Sequence, residues 1–328
     1  MAEIKRVAVF TSGGDSPGMN AAIRAVVRTA SFHDLHIYGI RRGYEGMIEN
    51  DFLRMESHDV SNIIHLGGTI IKTARSKDFM TKEGRTKAFE NLVAHDIDAC
   101  IAIGGEGTYT GAEIFSSEYK IPFIGIPGTI DNDLFGTDNT IGFDTSINTA
   151  IDAVDKIRDT ANSHNRLFFI EVMGRQSGYI ALHTGLGTGA ASILIPEIQT
   201  SIDNLVKGLK QGMVRERAYS IIIVAEGNRN GGAAEIAEKV LAIYEATEAK
   251  VAVIGHLQRG GSPTAADRLL ASRLGYAAIE GLLEGKKNVG VGLINNKVVY
   301  TPFKRILSTS KSLDIDLIKM AEILAHGK

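Results

Sequence analysis

Two carboxylates stand two residues apart in Gly128-Thr129-Ile130-Asp131-Asn132-Asp133, just after the apolar run 121–126. A carboxylate at the end of a strand can take the proton from an alcohol, and a second one can help to hold a divalent cation. The same pair also suits an Asp-rich surface turn, and the pattern alone leaves the two readings level. Gly-rich segments recur in Thr11-Ser12-Gly13-Gly14-Asp15-Ser16-Pro17-Gly18, in Ile103-Gly104-Gly105-Glu106-Gly107-Thr108 and in Gln258-Arg259-Gly260-Gly261-Ser262-Pro263. Glycines between a strand and a helix let backbone N–H groups approach a phosphate, and the helix N-terminus favours its charge. None of these segments fits the dinucleotide fingerprint or the Walker A pattern. Each taken singly reads as a tight turn that needs Gly for steric reasons. Arg75, Arg166, Arg175 and Arg259 sit beside strand ends or Gly turns. The planar guanidinium gives two hydrogen bonds at once to a phosphate. Any one of the four is an ordinary surface charge, whereas several together would make a polyphosphate site.

These residues need a scaffold that collects strand ends. Short apolar runs at Val7–Phe10, His36–Ile40, Ala99–Ile103, Phe123–Ile126, Leu167–Val172, Ser192–Ile195, Ser220–Ala225 and Val251–Ile254 predict strands buried on both faces, as in parallel sheets. Amphipathic stretches predict helices near Met19–Ser31, Thr86–His95, Ile147–Asn162, Ile202–Val214, Ala233–Glu245 and Ala265–Leu283. Thr264-Ala265-Ala266-Asp267 offers a capping box to the last of them. The alternation predicts an α/β protein. So many units suggest two doubly wound, mostly parallel sheet domains with the active site in the cleft between them.

The chain has 328 residues, 44% hydrophobic and 23% charged, which is ample for two domains. The net charge is −2, so no basic excess marks a nucleic-acid or membrane-surface protein. The single cysteine, Cys100, forms no intrachain disulfide and reads as a small buried hydrophobe. The first residues lack a secretory pattern, and no apolar run nears the roughly 20 residues of a membrane span. A cytoplasmic location is the expectation.

The Thr11–Asn20 segment, Pro127–Asp133, Glu171-Val172-Met173-Gly174-Arg175 and Gly255-His256-Leu257-Gln258-Arg259-Gly260-Gly261-Ser262-Pro263 together resemble the signature segments of bacterial 6-phosphofructokinases, in the order and spacing of that family. The resemblance implies a Mg²⁺-dependent kinase that moves the terminal phosphoryl group of ATP to the 1-hydroxyl of fructose 6-phosphate. It implies a larger ATP-binding domain of residues 1–142 plus 256–306 and a smaller sugar-phosphate domain of residues 143–255 plus 307–328. Asp131 would be the general base, with Thr129, Arg175 and Arg75 around the moving phosphoryl group. Gly14, Tyr44, Arg75, Ser76, Gly105, Glu106, Gly107 and Thr108 would form the ATP site. Thr129, Ile130, Asp131, Arg166, Met173, Gly174, Arg175, Glu226, Lys250, His256, Leu257, Gln258 and Arg259 would meet fructose 6-phosphate, with Arg166 and Lys250 reaching it from a neighbouring subunit. A homotetramer with shared active sites follows, and Glu106 and Asp133 would serve the metal.

The family usually has Asp at the position of Glu106 and Arg at that of Lys250. Both changes keep charge, although Lys loses the bidentate fork. Pyrophosphate-dependent relatives usually carry Asp where this chain has Gly107 and Lys where it has Gly128, so the two glycines favour ATP over that alternative. A non-catalytic sugar-phosphate or nucleotide sensor is a second alternative, raised by Glu106 alone. A dinucleotide-dependent dehydrogenase is a third, weakened by the missing fingerprint. Many relatives have an effector site between subunits. Arg24, Arg28, Arg158, Arg215 and Arg217 keep part of it, but Ser57, Leu66 and Ala191 replace two cations and a carboxylate. Weak responses to ADP and phosphoenolpyruvate are therefore expected.

Overall fold

The computed structural model describes residues 4–162, 167–214, 220–244 and 248–326. Expected residues Arg166, Arg215 and Arg217, and the end of the predicted helix at Glu245, lie outside them. The chain forms two compact units, Met1–Thr145 with Arg259–Lys311, and Ser146–Gln258 with Ser312–Lys328.

Unit 1 is built on a seven-stranded sheet in the order β11-β10-β5-β4-β1-β2-β3. The strands are β1 (Arg6–Ser12), β2 (His36–Ile40), β3 (Phe52–Met55), β4 (Ala99–Gly104), β5 (Phe123–Pro127), β10 (Val289–Ile294) and β11 (Lys297–Pro302). Only the two edges, β3 and β11, pair antiparallel to their neighbours. The central strands are apolar along their whole length because helices cover both faces. On one face α1 (Met19–Phe32) and α9 (Ala265–Leu283) lie over Val7, Val9, Ile101, Ile103 and Ile124. On the other, α2 (Tyr44–Glu49), α3 (Lys82–Ala94), α4 (Glu106–Tyr119) and α10 (Phe303–Ser308) supply Tyr44, Met47, Leu92, Tyr109, Phe115 and Phe303 to a core around Phe10 and Phe123. Cys100 is buried in that core, and burial pushes its thiol up and away from the thiolate.

Unit 2 carries a four-stranded parallel sheet in the order β7-β8-β6-β9, from β6 (Leu167–Val172), β7 (Ser192–Leu194), β8 (Ser220–Ala225) and β9 (Ala249–Val253). Phe169, Ile222 and Val224 pack with Leu205 and Leu209 of α7 (Ile202–Val214) and Ile236 and Val240 of α8 (Ala233–Leu241). Helices α5 (Phe143–Asn162), α6 (Tyr179–Thr188) and α11 (Ile315–His326) and two short 3₁₀ turns, Asp78–Met80 and Gly255–Arg259, complete the described elements. No helix among the described residues is long and apolar enough to cross a membrane.

Three departures have physical causes. Helix α3 starts at Lys82 instead of Thr86 because Thr81 Oγ1 accepts from Gly84 N at 3.0 Å. The capping box of α9 is only half formed. Thr264 Oγ1 accepts from Asp267 N at 3.3 Å, but the Asp267 carboxylate turns elsewhere. It accepts from Gly142 N (2.9 Å), Thr145 N (2.8 Å) and Thr145 Oγ1 (2.6 Å), locking the start of α5 to the start of α9. Burial pushes the Asp267 carboxyl up, against the pull of those three donors. The compact units divide after Thr145, Gln258 and Lys311, a few residues beyond the expected 142, 255 and 306, with the Asp267 latch inside unit 1 and the Gln258 amide contacts inside unit 2.

Candidate active site

After β5 the chain leaves and returns, so that Ile141 N donates to Pro127 O at 2.8 Å and Gly128 bridges to Ile141. The loop between carries the paired carboxylates. Thr140 Oγ1 donates to Thr129 O at 2.6 Å, and Asp131 N donates to Thr129 Oγ1 at 3.2 Å. Asn132 lies in the left-handed region at φ 51° and is 1% exposed. Its Oδ1 accepts from Thr140 N (3.0 Å) and Lys311 Nζ (2.8 Å), and its Nδ2 donates to Asp138 O (3.2 Å). Asp131 is thereby buried at 2% exposure, with Asp133 half-buried beside it. The side chain of Ile130 is fully buried in the core, which narrows its expected substrate contact to the backbone. Sequence reasoning missed Lys311, which stands in no motif. Burial pushes its ammonium down to about 8, opposed by Asp138 and Asp133.

The phosphate-side turns of unit 1 meet at the ends of β1 and β4. Thr108 Oγ1 donates to Ser12 O at 3.1 Å, which ties the first turn of α4 to β1. Arg259 lies directly over Gly14. A Cβ at position 14 would sit 2.2 Å from Arg259 Nη1, and that nitrogen donates to Asp15 O at 3.1 Å. The structure thus brings an expected nucleotide residue against an expected sugar-phosphate residue. Arg75 is exposed, and Ser76 Oγ accepts from Phe79 N at 3.2 Å. Tyr44, expected at the ATP site, faces inward. It is 5% exposed, stacks on Phe79 at 3.9 Å and donates its hydroxyl to Thr108 O at 2.6 Å. It braces the Gly105–Thr108 turn from below, and burial pushes its phenol well up, so it stays a donor.

Glu106 and Gly107 are exposed at the start of α4. A Cβ at Gly107 would meet no described atom within 4 Å. At Gly128 it would meet Ile103 Cγ2 at 3.0 Å and Met19 Cε at 3.1 Å. The two glycines therefore act differently. Position 107 opens onto free space, whereas a long side chain at 128 would have to displace core side chains. Among the described residues no three His, Cys, Asp or Glu side chains cluster as a metal site. Glu106 and Asp133 are hard oxygen donors. They fit a small divalent cation held by one or two carboxylates together with phosphate oxygens.

In unit 2, β6 runs into the Met173-Gly174-Arg175 turn. Gly174 has φ 143° and Arg175 φ 52°. Glu226 Oε1 accepts from Gly174 N at 3.2 Å and Arg175 N at 2.6 Å, which fixes the turn and leaves Arg175 exposed. Gln258 is fully buried. Its Oε1 accepts from Met173 N at 2.8 Å and its Nε2 donates to Ser146 Oγ at 3.1 Å, so its side chain supports the turn instead of facing outward. His256 and Leu257 are exposed. Lys250 ion-pairs with Glu248. Arg24 is half-buried and Arg28 exposed on α1. Arg158 pairs with Asp155 at 3.8 Å and donates to Thr188 O, the last residue of α6.

Doubly wound sheets with Gly turns at their strand ends, a braced carboxylate loop and exposed arginines fit a phosphoryl-transfer class of protein. Residues 6–282 match the family model described as Phosphofructokinase, and the chain belongs to that family. It is 53% identical to the ATP-dependent 6-phosphofructokinase of Cytophaga hutchinsonii over 98% of both chains. It is 51% identical to the ATP-dependent 6-phosphofructokinase 1 of Thermus thermophilus, over 98% of this chain and 100% of that one. Among solved structures it resembles the phosphofructokinase of Saccharomyces cerevisiae with a TM-score of 0.87 at 35% identity, covering 97% of this chain and 46% of that one.

Proposed function

We propose that the chain is an ATP-dependent 6-phosphofructokinase, transferring the γ-phosphoryl group of ATP to the 1-hydroxyl of fructose 6-phosphate and releasing ADP and fructose 1,6-bisphosphate. Identity above one half with an enzyme of that name, over nearly the whole chain, carries the reading. The open space beside Gly107 supports a nucleotide donor, because an added side chain there would project into it.

In this reading Asp131 takes the proton of the sugar 1-hydroxyl as the oxygen attacks. Thr129 orients the Asp131 peptide and, with Arg175 and Arg75, offers donors to charge on the moving phosphoryl group, where preorganised donors count most. The exposed first turn of α4 offers backbone N–H groups to the nucleotide phosphates. By family resemblance Arg259, which lies over Gly14, is assigned to the sugar phosphate, as are Met173, Glu226 and His256. Glu106 and Asp133 would hold Mg²⁺, which would supply neutralisation of phosphate charge when bound. By family resemblance we also place the enzyme in the cytoplasm as a homotetramer, with Arg166 and Lys250 serving a neighbouring subunit.

The test is a coupled assay with fructose 6-phosphate and Mg²⁺, offering ATP, pyrophosphate or NAD in turn. Turnover with ATP alone is expected. Pyrophosphate as the better donor, or no turnover at all, would overturn the reading. The metal assignment has its own check. Glu106→Ala is expected to raise the half-saturating Mg²⁺ concentration, while Glu106→Asp keeps or raises activity. An unchanged Mg²⁺ titration for Glu106→Ala would make Glu106 a solvated turn residue.

A further inference from the structure

We infer that Lys311 is a positioning residue for the reaction, holding the loop of Asp131 in place through Asn132 and Asp138. The inference rests on the reading of Asp131 as the reacting carboxylate.

Lys311 Nζ donates at 2.8 Å to Asn132 Oδ1 and at 2.8 Å to Asp138 O. Asp138 O also accepts from Asn132 Nδ2, so the three residues close a small ring of hydrogen bonds. Asn132 and Asp138 both belong to the loop that follows β5, whereas Lys311 lies 179 and 173 residues further along the chain. Lys311 is half-buried, at the last position of unit 1. A half-buried ammonium aimed at two carbonyl oxygens gives charge-assisted bonds, roughly twice as strong as neutral ones.

Asn132 is the residue between the two carboxylates. Its left-handed backbone is one that Asn adopts more readily than most residues, and its side-chain contacts fix the amide in one orientation. Any rotation at Asn132 turns Asp131 and Asp133 relative to each other. Three donors and acceptors fix its amide, and Lys311 is the one that comes from outside the loop. Removing that donor leaves Thr140 N on the same oxygen, which preserves the loop as a loop but loosens its register. Loss of register at a reacting carboxylate lowers turnover more than it lowers binding, because a displacement of about 1 Å costs on the order of 10²-fold.

The test uses the full chain. Lys311→Met keeps the aliphatic stem and removes the charge and the donors. Its kcat is expected to fall by about 10- to 100-fold, with ATP affinity by calorimetry within about twofold and little change in Tm. Asn132→Gly, which tolerates the left-handed backbone, is expected to lose kcat similarly. The double variant should be no slower than the slower single one, because contacting residues on one path are not additive. Multiplying losses, a kcat within about twofold of wild type for Lys311→Met, or a loss of fold large enough to account for the lost turnover would each overturn the inference. Asp131→Asn is assayed beside them. If it is inactive while Lys311→Met is near wild type, only this inference fails. If it stays active, the reading of the loop itself fails, and the inference with it.

Discussion

Asp131→Asn is expected to lower kcat by about 10²- to 10⁴-fold, the span for removal of a general base, while ATP affinity and thermal stability hold. The substitution keeps the shape of the side chain. The backbone bond from Asp131 N to Thr129 Oγ1 does not involve the carboxylate and is kept. Asp131 is 2% exposed, and a neutral carboxamide is easier to bury there than an anion. Stability should therefore stay level or rise as activity collapses. Steady-state turnover with thermal melting of the same samples checks both. Turnover near wild type would remove Asp131 from the role of base and return the carboxylate pair to a surface-turn reading.

Gly227→Ala is expected to destabilise the fold by about 1–3 kcal/mol, the usual scale of overpacking, and to cut kcat by on the order of 10²-fold. A Cβ at position 227 would lie 1.8 Å from Arg175 O and 2.9 Å from Arg175 C, with Gln176 Cα at 3.3 Å. Backbone atoms cannot swing aside as a side-chain end can. The Arg175 turn must then shift, although Glu226 next door grips its N–H groups at 3.2 and 2.6 Å. The methyl group makes no contact with substrate in this account. It acts only by displacing a residue proposed to meet the transferring phosphoryl group. Thermal melting and kcat, measured against unchanged ATP affinity, check it. Equal Tm and equal kcat would mean that the backbone around Arg175 has slack to absorb a methyl group.

The central strands were legible because both of their faces are buried. Ala99–Gly104 is apolar at almost every position, and its burial is complete. The sheet edges were not legible for the opposite reason. Strand β3 exposes Leu53 and Arg54, and β11 exposes Lys297 and Val298, so neither makes an apolar run. The β10–β11 hairpin carried a local signal that was passed over. Asn295 and Asn296 both take positive φ, 49° and 61°, as a two-residue turn with primed geometry requires. Helix α4 shows little apolar periodicity, because its first turn is Glu106-Gly107-Thr108.

Chemistry could be read where type and spacing were local, as with Asp131 and Asp133. What a side chain faces depends on partners far away in the chain, and no window of sequence shows them. Tyr44 turns inward to a carbonyl 64 residues on, and Gln258 to an amide 85 residues back. Lys311 is the extreme case at 179 residues.

The chain leaves unit 1 after Thr145, returns at Arg259 and leaves again after Lys311. During synthesis this order is also an order of completion. A nascent chain that has reached Gln258 already holds every strand of the four-stranded sheet, β6 to β9, in one uninterrupted piece. The seven-stranded sheet, begun first, still lacks β10 and β11 at one side of β5, and α1 still lacks its partner α9. Until those residues emerge, the apolar flank of β5 and the inner stripe of α1 stand open to water or to a chaperone. The sheet that the ribosome starts is thus not the sheet it can finish first, and α11, the last helix of unit 2, emerges after both.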